Sequence, residues 1–217
     1  MIEVVNISKT IKKQRVLDCM SHRFERGRIY GLYGENGSGK TMLLRALAGL
    51  IHVDEGHISV DGQLLHSDIS FPEKLGLVIE DMGMLPRFTA YENLSILSKI
   101  KKEYGKEDIS NALRRVGLDP CSKKKVKAFS LGMRQRLNIA QAIFEKPDIL
   151  LLDEPTNALD EEAVQTIYQL LKEEQARGAV IVAATHHRED LTALCDETIR
   201  ISSGRLLADA AQEAQGR

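Results

Sequence analysis

The stretch GENGSGKT, residues 34–41, lies between two apolar segments, GRIYGLY (27–33) and TMLLRALAGL (41–50). The first segment predicts a short buried strand and the second a leucine-rich helix, so the stretch joins a strand to a helix. Its spacing fits the pattern G-x-x-x-x-G-K-[ST], in which glycines let successive backbone N–H groups converge on phosphate oxygens. It therefore predicts a phosphate-binding loop.

Two side chains of this loop suit a nucleoside triphosphate. Lys40 can reach the β- and γ-phosphates, and the Thr41 hydroxyl can ligate Mg²⁺. The N-terminus of the following helix adds partial positive charge. A chance glycine turn is the alternative, but the strand before the loop and the helix after it disfavour that interpretation. The residues expected to contact the nucleotide are Gly34, Asn36, Gly37, Ser38, Gly39, Lys40, Thr41 and Met42.

A second part of the same site is predicted at DILLLDE, residues 148–154. A continuous apolar run of this length is typical of a central strand in a parallel sheet. Asp153 would hold Mg²⁺ through water at the end of that strand, and Glu154 would polarise the water that attacks the phosphate. One of the two acids could instead only cap the next helix. The phosphate loop upstream favours the catalytic interpretation, because each motif needs the other.

A third candidate, His186, follows the apolar run AVIVAAT (179–185). The carboxyl end of a parallel strand lies on the ligand side of an open α/β sheet, so His186 is expected to donate to the γ-phosphate. The next residue, His187, would point the opposite way if the strand continued, because side chains alternate along a strand.

The order of the segments predicts an α/β fold with a parallel sheet and a phosphate-loop NTPase core, because strands alternate with helices. The N-terminal strands and the hairpin GHISVDGQLL (56–65) predict an antiparallel β subdomain. The polar stretch from Tyr91 to Val116 has spaced apolar residues and predicts a small helical subdomain.

Composition limits the partners of the chain. The 217 residues carry a formal net charge of −1, which gives no field that attracts nucleic acid. No apolar run reaches the length of a membrane span, and the N-terminus does not read as a signal peptide. The cysteines Cys19, Cys121 and Cys195 are widely spaced, which favours reduced thiols in the cytosol.

Four motifs together resemble the ATP-binding subunit of ABC transporters: GENGSGKT, FSLGMRQRL (129–137), LLLDEPTNALD (150–160) and AATH (183–186). The resemblance covers nearly the whole chain, which implies a single ATPase domain, 1–217, with a helical subdomain at about 86–145. It implies ATP hydrolysis with Mg²⁺ by two copies arranged head-to-tail. Ser130 and Gly132 of one copy would then contact the γ-phosphate held by the other.

The resemblance also implies a second partner, a separate transmembrane permease subunit, and a place at the cytoplasmic face of the cell membrane. The apolar residues Met82, Met84, Leu85 and Phe88 are predicted to dock on that subunit, with core burial as the alternative.

The sequence departs from the family pattern in ways that indicate a branch. Leu131 and Met133 stand where the signature usually has glycine and glutamine, and Glu80 stands where the family usually has glutamine. These features look like the exporters of bacitracin and lantibiotics, so export of a drug, antibiotic peptide or similar amphiphile is expected. Glu80 is predicted to face Mg²⁺; a side chain in solvent is the alternative.

A further departure concerns the adenine base. Ile11 stands at the position where many relatives stack an aromatic residue on the ring, with Val16 beside it. Aliphatic side chains cover the ring without π-stacking, so discrimination between ATP and GTP is expected to be weaker.

Two other functions are compatible with a phosphate loop. A soluble ABC ATPase that acts on DNA or the ribosome would usually carry basic arms or tandem ATPase copies, and the sequence has neither. A phosphate-loop kinase or GTPase would give no role to FSLGMRQRL.

Overall fold

The computed structural model describes residues 1–79 and 83–207. Within them the chain alternates strands and helices as the sequence predicts. The strands are β1 (Ile2–Ile11), β2 (Gln14–Phe24), β3 (Ile29–Tyr33), β4 (Glu55–Val60), β5 (Gln63–Leu64), β6 (Leu75–Val78), β7 (Ile149–Asp153), β8 (Val180–Ala184), β9 (Glu197–Ser202) and β10 (Arg205–Leu207). The α-helices are α1 (Lys40–Leu47), α2 (Ala90–Lys101), α3 (Lys106–Arg115), α4 (Leu131–Ile143), α5 (Glu161–Ala176) and α6 (Arg188–Leu194), and a 3₁₀ turn covers Val126–Ala128.

The strands form two sheets. One is antiparallel, with the order β2-β1-β4-β5, and the turn at Asp61-Gly62 joins its last two strands as predicted. The other has the order β10-β9-β3-β8-β7-β6, in which every pair is parallel except β9 with β10. The α/β fold with a parallel sheet and an antiparallel β layer is therefore confirmed.

The strand β7 shows why a strand of the parallel sheet has a continuous apolar sequence. Leu150 and Leu152 face one core cluster, which contains α2, α3, α4 and α5. Ile149 and Leu151 face the other cluster, which lies between this sheet, α1 and the antiparallel sheet. Both faces of the strand are covered, so both need apolar side chains.

The helices α2, α3 and α4 fall within residues 86–145, the range predicted for the helical subdomain, and they pack on one another. Thr89 caps α2, with its side chain bonded to the Glu92 backbone N–H and the Glu92 side chain bonded back to the Thr89 N–H. The limits of this subdomain stay a prediction.

An ion cluster attaches α3 to α5 in the core. Glu174 is only 3% exposed, on the apolar face of α5. Its carboxylate accepts hydrogen bonds from Arg115 Nη1 at 2.6 Å and from Arg177 Nη2 at 2.7 Å. Arg115 also donates to the neighbouring Glu173, which is exposed. One buried carboxylate thus binds both arginines.

Removal of that carboxylate should destabilise the chain. We expect Glu174→Ala to lower the free energy of unfolding by about 3 kcal/mol, because Arg115 and Arg177 lose the one buried carboxylate that both of them bind. Glu173→Ala is the matched control, since it removes an exposed partner of the same Arg115, and should cost about 0.5 kcal/mol. Urea denaturation of the two variants measures both values. Equal costs would show that the buried cluster does not attach α3 to α5.

Candidate functional site

The glycine-rich segment forms a tight loop between β3 and α1. Gly34 has a φ of 152°, and a Cβ there would lie 2.1 Å from the backbone oxygen of Ile201, so only glycine fits. Lys40 is buried and donates from Nζ to the backbone oxygens of Gly34 at 2.7 Å and Glu35 at 3.1 Å. The ammonium group therefore stays at the mouth of the loop.

Thr41 and Asp153 meet across the sheet. Asp153 ends β7, and the Thr41 hydroxyl donates to Asp153 Oδ2 at 2.6 Å. The two residues are 112 positions apart in the sequence and meet because β3 and β7 end at the same edge of the parallel sheet. Two oxygen ligands in this position suit Mg²⁺, which prefers hard donors.

Glu154 lies in a strained turn immediately after β7. Its φ is 49°, which is uncommon for a residue with a side chain, and its N–H donates to the Ala184 backbone oxygen at 2.8 Å. Its carboxylate Oε1 lies 2.8 Å from His186 Nδ1. The predicted base and the predicted phosphate contact are thus a direct pair.

His187 corrects one expectation. The strand β8 ends at Ala184, so the alternation of side chains stops before the histidines. The rings of His186 and His187 lie 4.0 Å apart, and both are near Glu154. His187 therefore shares the side of its neighbour instead of pointing away from it.

A groove of about 390 Å³ collects much of the predicted site. Its lining from the described residues is Gln14, Val16, Asn36, Gly37, Gly39, Lys40, Thr41, Met42, Asp153 and Glu154. Ile11, the last residue of β1, lies outside that lining. Ser130 and Gly132, at the N-terminus of α4, lie outside it too. Ser38 is buried inside the loop. The predictions for Glu80 and Met82 fall outside the described residues.

The signature segment packs on the turn that follows β7. Ser130 caps α4 by accepting a hydrogen bond from the Met133 N–H, and it is exposed. A Cβ on Gly132 would lie 2.8 Å from the Ala158 oxygen, so glycine allows close contact there. Leu131, between them, is 67% exposed. The signature thus forms a surface rather than a wall of the groove.

Gln135 was not predicted as a site residue. From α4 its amide nitrogen donates to the backbone oxygens of Glu154 at 3.0 Å and Pro155 at 3.1 Å. These bonds connect the helix that carries the signature to the strained turn that carries the predicted base.

Asp190 is a second residue that the sequence reading missed. It is 6% exposed, and its carboxylate accepts hydrogen bonds from Thr156 at 2.6 Å, from Thr185 at 2.8 Å and from the Tyr168 hydroxyl. Thr156 lies two residues after Glu154, and Thr185 directly precedes His186. Asp190 therefore ties together the two segments that carry the Glu154–His186 pair.

The environment of Asp190 keeps its neighbours protonated. Burial, and then the hydrogen bond to Asp190, raises the pKa of Tyr168 well above its usual range. Burial, with the charge of Asp190 as a second cause, raises the pKa of the Cys195 thiol to about 12. In the sequence, Asp190 looks like an ordinary acid in the first turn of a helix, and only the packing of α6 shows its role.

Comparison with known proteins identifies relatives of the chain. A family profile described as "ABC transporter" matches residues 17–157. The chain is 58% identical to the ABC transporter ATP-binding protein YybJ of Bacillus subtilis (strain 168), over 95% of this chain and 94% of that protein. It is 36% identical to the bacitracin transport ATP-binding protein BcrA of Bacillus licheniformis, over 96% of this chain and 69% of that protein.

A solved structure has the same fold. It is the dimeric structure of a post-hydrolysis state of the ATP-binding cassette MJ0796 bound to ADP and Pi. It matches with a TM-score of 0.86 and 25% sequence identity, over 96% of this chain and 97% of that one. Among the residues that the structure describes here, none of the helices combines the length and apolar character that crossing a bilayer requires.

The contribution of the hydroxyl cluster around Asp190 can be tested by measuring the stability of the protein. We expect Asp190→Asn to lower the free energy of unfolding by about 2 kcal/mol, because hydrogen bonds to a charged acceptor are lost and a donor enters a cluster of donors. Glu189→Gln, the exposed neighbour in the same helical turn, should change it by less than about 0.5 kcal/mol. Thermal and urea unfolding measure both variants. An unchanged free energy of unfolding in Asp190→Asn would contradict the proposal that Asp190 holds the segments of Thr156 and Thr185 together.

Proposed function

The chain belongs to the ABC transporter family as an ATP-binding subunit with ATPase activity, and from this we propose that it powers export of a drug, an antibiotic peptide or a similar amphiphile. The observation that carries the export proposal is the 36% identity with the bacitracin transport protein BcrA over nearly the whole chain. The departures at Leu131 and Met133 in the signature, which resemble the same branch, support it.

In this proposal, the residues of the chain promote hydrolysis by positioning the nucleotide and by stabilising its charge. The loop binds the phosphates through its backbone N–H groups and Lys40. Thr41 and Asp153 would hold Mg²⁺, which supplies charge neutralisation on the phosphates when bound. Met42 and Asn36 complete the phosphate end of the groove. Val16 would cover the base, and the contribution of Ile11 to the base stays a prediction.

Glu154 and His186 act as a pair in this proposal. The Glu154 carboxylate polarises the attacking water, and its 2.8 Å contact with His186 Nδ1 fixes the imidazole ring. An imidazolium in this position would donate to Glu154 from Nδ1 and to a γ-phosphate oxygen from Nε2. Glu80 is proposed as a further residue near the metal.

A second copy of the chain is needed to complete the site. Ser130 and Gly132 lie outside the groove that contains the loop, which supports their contact with a γ-phosphate held by another copy. The dimeric cassette MJ0796 supports this arrangement for the present chain. The N-terminus of α4 would then point at the partner's phosphate.

The remaining partner is a transmembrane permease subunit. Leu85 and Phe88 are exposed apolar residues in the segment before α2, which suits a partner surface, and Met84 packs partly into the core. We place the chain on the cytoplasmic face of the membrane through that subunit. The net charge of −1 gives no reason to add a nucleic-acid partner.

The role of Glu154 has a direct test. Glu154→Gln should lower ATP turnover by about 100-fold or more, because the amide cannot accept the proton of the attacking water. It should keep its ATP affinity and form a dimer with ATP on size-exclusion chromatography. Glu162→Gln, on the exposed first turn of α5, should behave as the parent. Brisk hydrolysis by Glu154→Gln would exclude this residue as the base.

The export proposal is tested in cells. The chain and the permease of its transporter, expressed together in a bacitracin-sensitive strain, should raise the bacitracin concentration that stops growth. The same permease with Glu154→Gln should give no protection, because the amide variant does not hydrolyse ATP. Efflux of a labelled lantibiotic provides a second readout. If the active and inactive chains give equal sensitivity to each compound, export of antibiotic peptides is wrong for this chain.

A further inference from the structure

The side chains of Glu154, His186 and His187 form a cluster of metal-ligating groups. One ligand atom from each residue lies within 4.8 Å of the other two. We propose that these three residues bind a transition-metal ion, with Zn²⁺ as the representative case, and that the bound ion blocks hydrolysis. This site is separate from the predicted Mg²⁺ ligands Thr41 and Asp153.

The distances fit a site that closes around an ion. Zn²⁺ binds histidine nitrogens and carboxylate oxygens at about 2.0–2.2 Å, which places tetrahedral ligand atoms roughly 3.3–3.6 Å apart. Glu154 Oε1 and His186 Nδ1 lie 2.8 Å apart, so this pair opens slightly while the third ligand approaches. His186 has a side chain 53% exposed and His187 is also exposed, so both rings turn without repacking the core.

The backbone already holds the three residues in one place. The Glu154 N–H is bonded to the Ala184 oxygen at 2.8 Å, and the His187 N–H is bonded to the Thr185 hydroxyl at 3.0 Å. Asp190 accepts a further hydrogen bond from that hydroxyl. The backbone positions of the three residues are thus fixed by the core, and only their side chains have to reorient to bind an ion.

Ligand chemistry separates the two metals. Two imidazoles and one carboxylate suit Zn²⁺, Ni²⁺ or Cu²⁺, whereas Mg²⁺ takes oxygen ligands and keeps its waters. A metal that binds Nδ1 of the His186 imidazolium displaces the proton on that nitrogen to solvent, and the ring becomes neutral with hydrogen on Nε2. Three protein ligands leave a fourth position for water.

The blocking effect rests on the proposed function. An ion held by this cluster occupies the carboxylate that polarises water and the imidazole that contacts the γ-phosphate. His187 has no place in the proposed hydrolysis, so its removal separates metal binding from catalysis.

Co²⁺ reports on the site without nucleotide, so this test does not depend on ATPase activity. The full chain with Cys19→Ser and Cys121→Ser, which removes the exposed thiols, is titrated with Co²⁺. We expect a saturable visible absorption typical of tetrahedral Co²⁺ at one equivalent, and its loss on addition of Zn²⁺. His187→Asn should weaken Co²⁺ binding by about 10-fold or more. His57→Asn, an exposed histidine on β4, should leave it unchanged.

Turnover gives the second readout. At one fixed concentration of MgATP, Zn²⁺ should inhibit the parent at about a tenth or less of the concentration needed for His187→Asn, a ratio that follows the expected loss of affinity. Because the ATP concentration is the same, chelation of Zn²⁺ by ATP is equal in the assays of the parent and of His187→Asn. Without zinc, His187→Asn should turn over ATP as the parent does. Absence of the Co²⁺ absorption, or equal Co²⁺ affinity in His187→Asn, would overturn the metal site. Co²⁺ binding with equal Zn²⁺ inhibition would overturn its blocking role.

Discussion

The turn at Glu154 is the constraint on which the rest of the site depends. On a regular strand Asp153 and Glu154 would point to opposite faces, because side chains alternate. The positive φ of 49° at Glu154 breaks that alternation at the end of β7, and both acids line the same groove. A left-handed residue with a side chain costs about 1–2 kcal/mol. The hydrogen bond from its N–H to Ala184 and the packed sheet below it offset that cost.

The same turn is held from two further directions. Gln135 on α4 bonds to the Glu154 and Pro155 oxygens, so a shift of α4 acts on the turn through these bonds. Asp190 on α6 holds Thr156 after the turn and Thr185 before His186. A buried carboxylate that accepts several hydroxyls is stable in one arrangement only. The Glu154–His186 pair therefore depends on helices that lie on opposite sides of it in sequence.

The sequence predicts the parts of the site that local chemistry determines. The glycine loop, the apolar run of β7 and the strand before His186 carry patterns of fixed spacing, and they predicted Lys40, Asp153 and Glu154 as residues of the site. Thr41 and Asp153 were each assigned to Mg²⁺ from their own motifs, and the structure adds the direct hydrogen bond between them. For His186, the inference needed only the apolar run before it and the direction of the strand.

Burial of charged residues could not be predicted in the same way. Glu174 and Asp190 belong to a residue type that is usually exposed, and their partners Arg115 and Thr156 are distant in sequence. The prediction for His187 applied only to a strand that continues through the histidines, and β8 ends before them; strand ends are the least certain feature of a pattern. The position of the signature relative to its own loop likewise depends on tertiary packing.

The separation of the signature from the loop is the reason that the proposed function needs two copies of the chain. Leu131 exposes an apolar side chain at the N-terminus of α4, beside a serine that caps the helix. In the proposed dimer this surface covers a nucleotide held by the other copy, so water is excluded only after association. Gln135, on the same helix, donates to the Glu154 backbone oxygen. In the proposed dimer, contact between the signature and the partner's nucleotide would therefore act through α4 on Glu154, which lies beside the chain's own nucleotide. Hydrolysis at the two sites would then depend on one closure of the dimer.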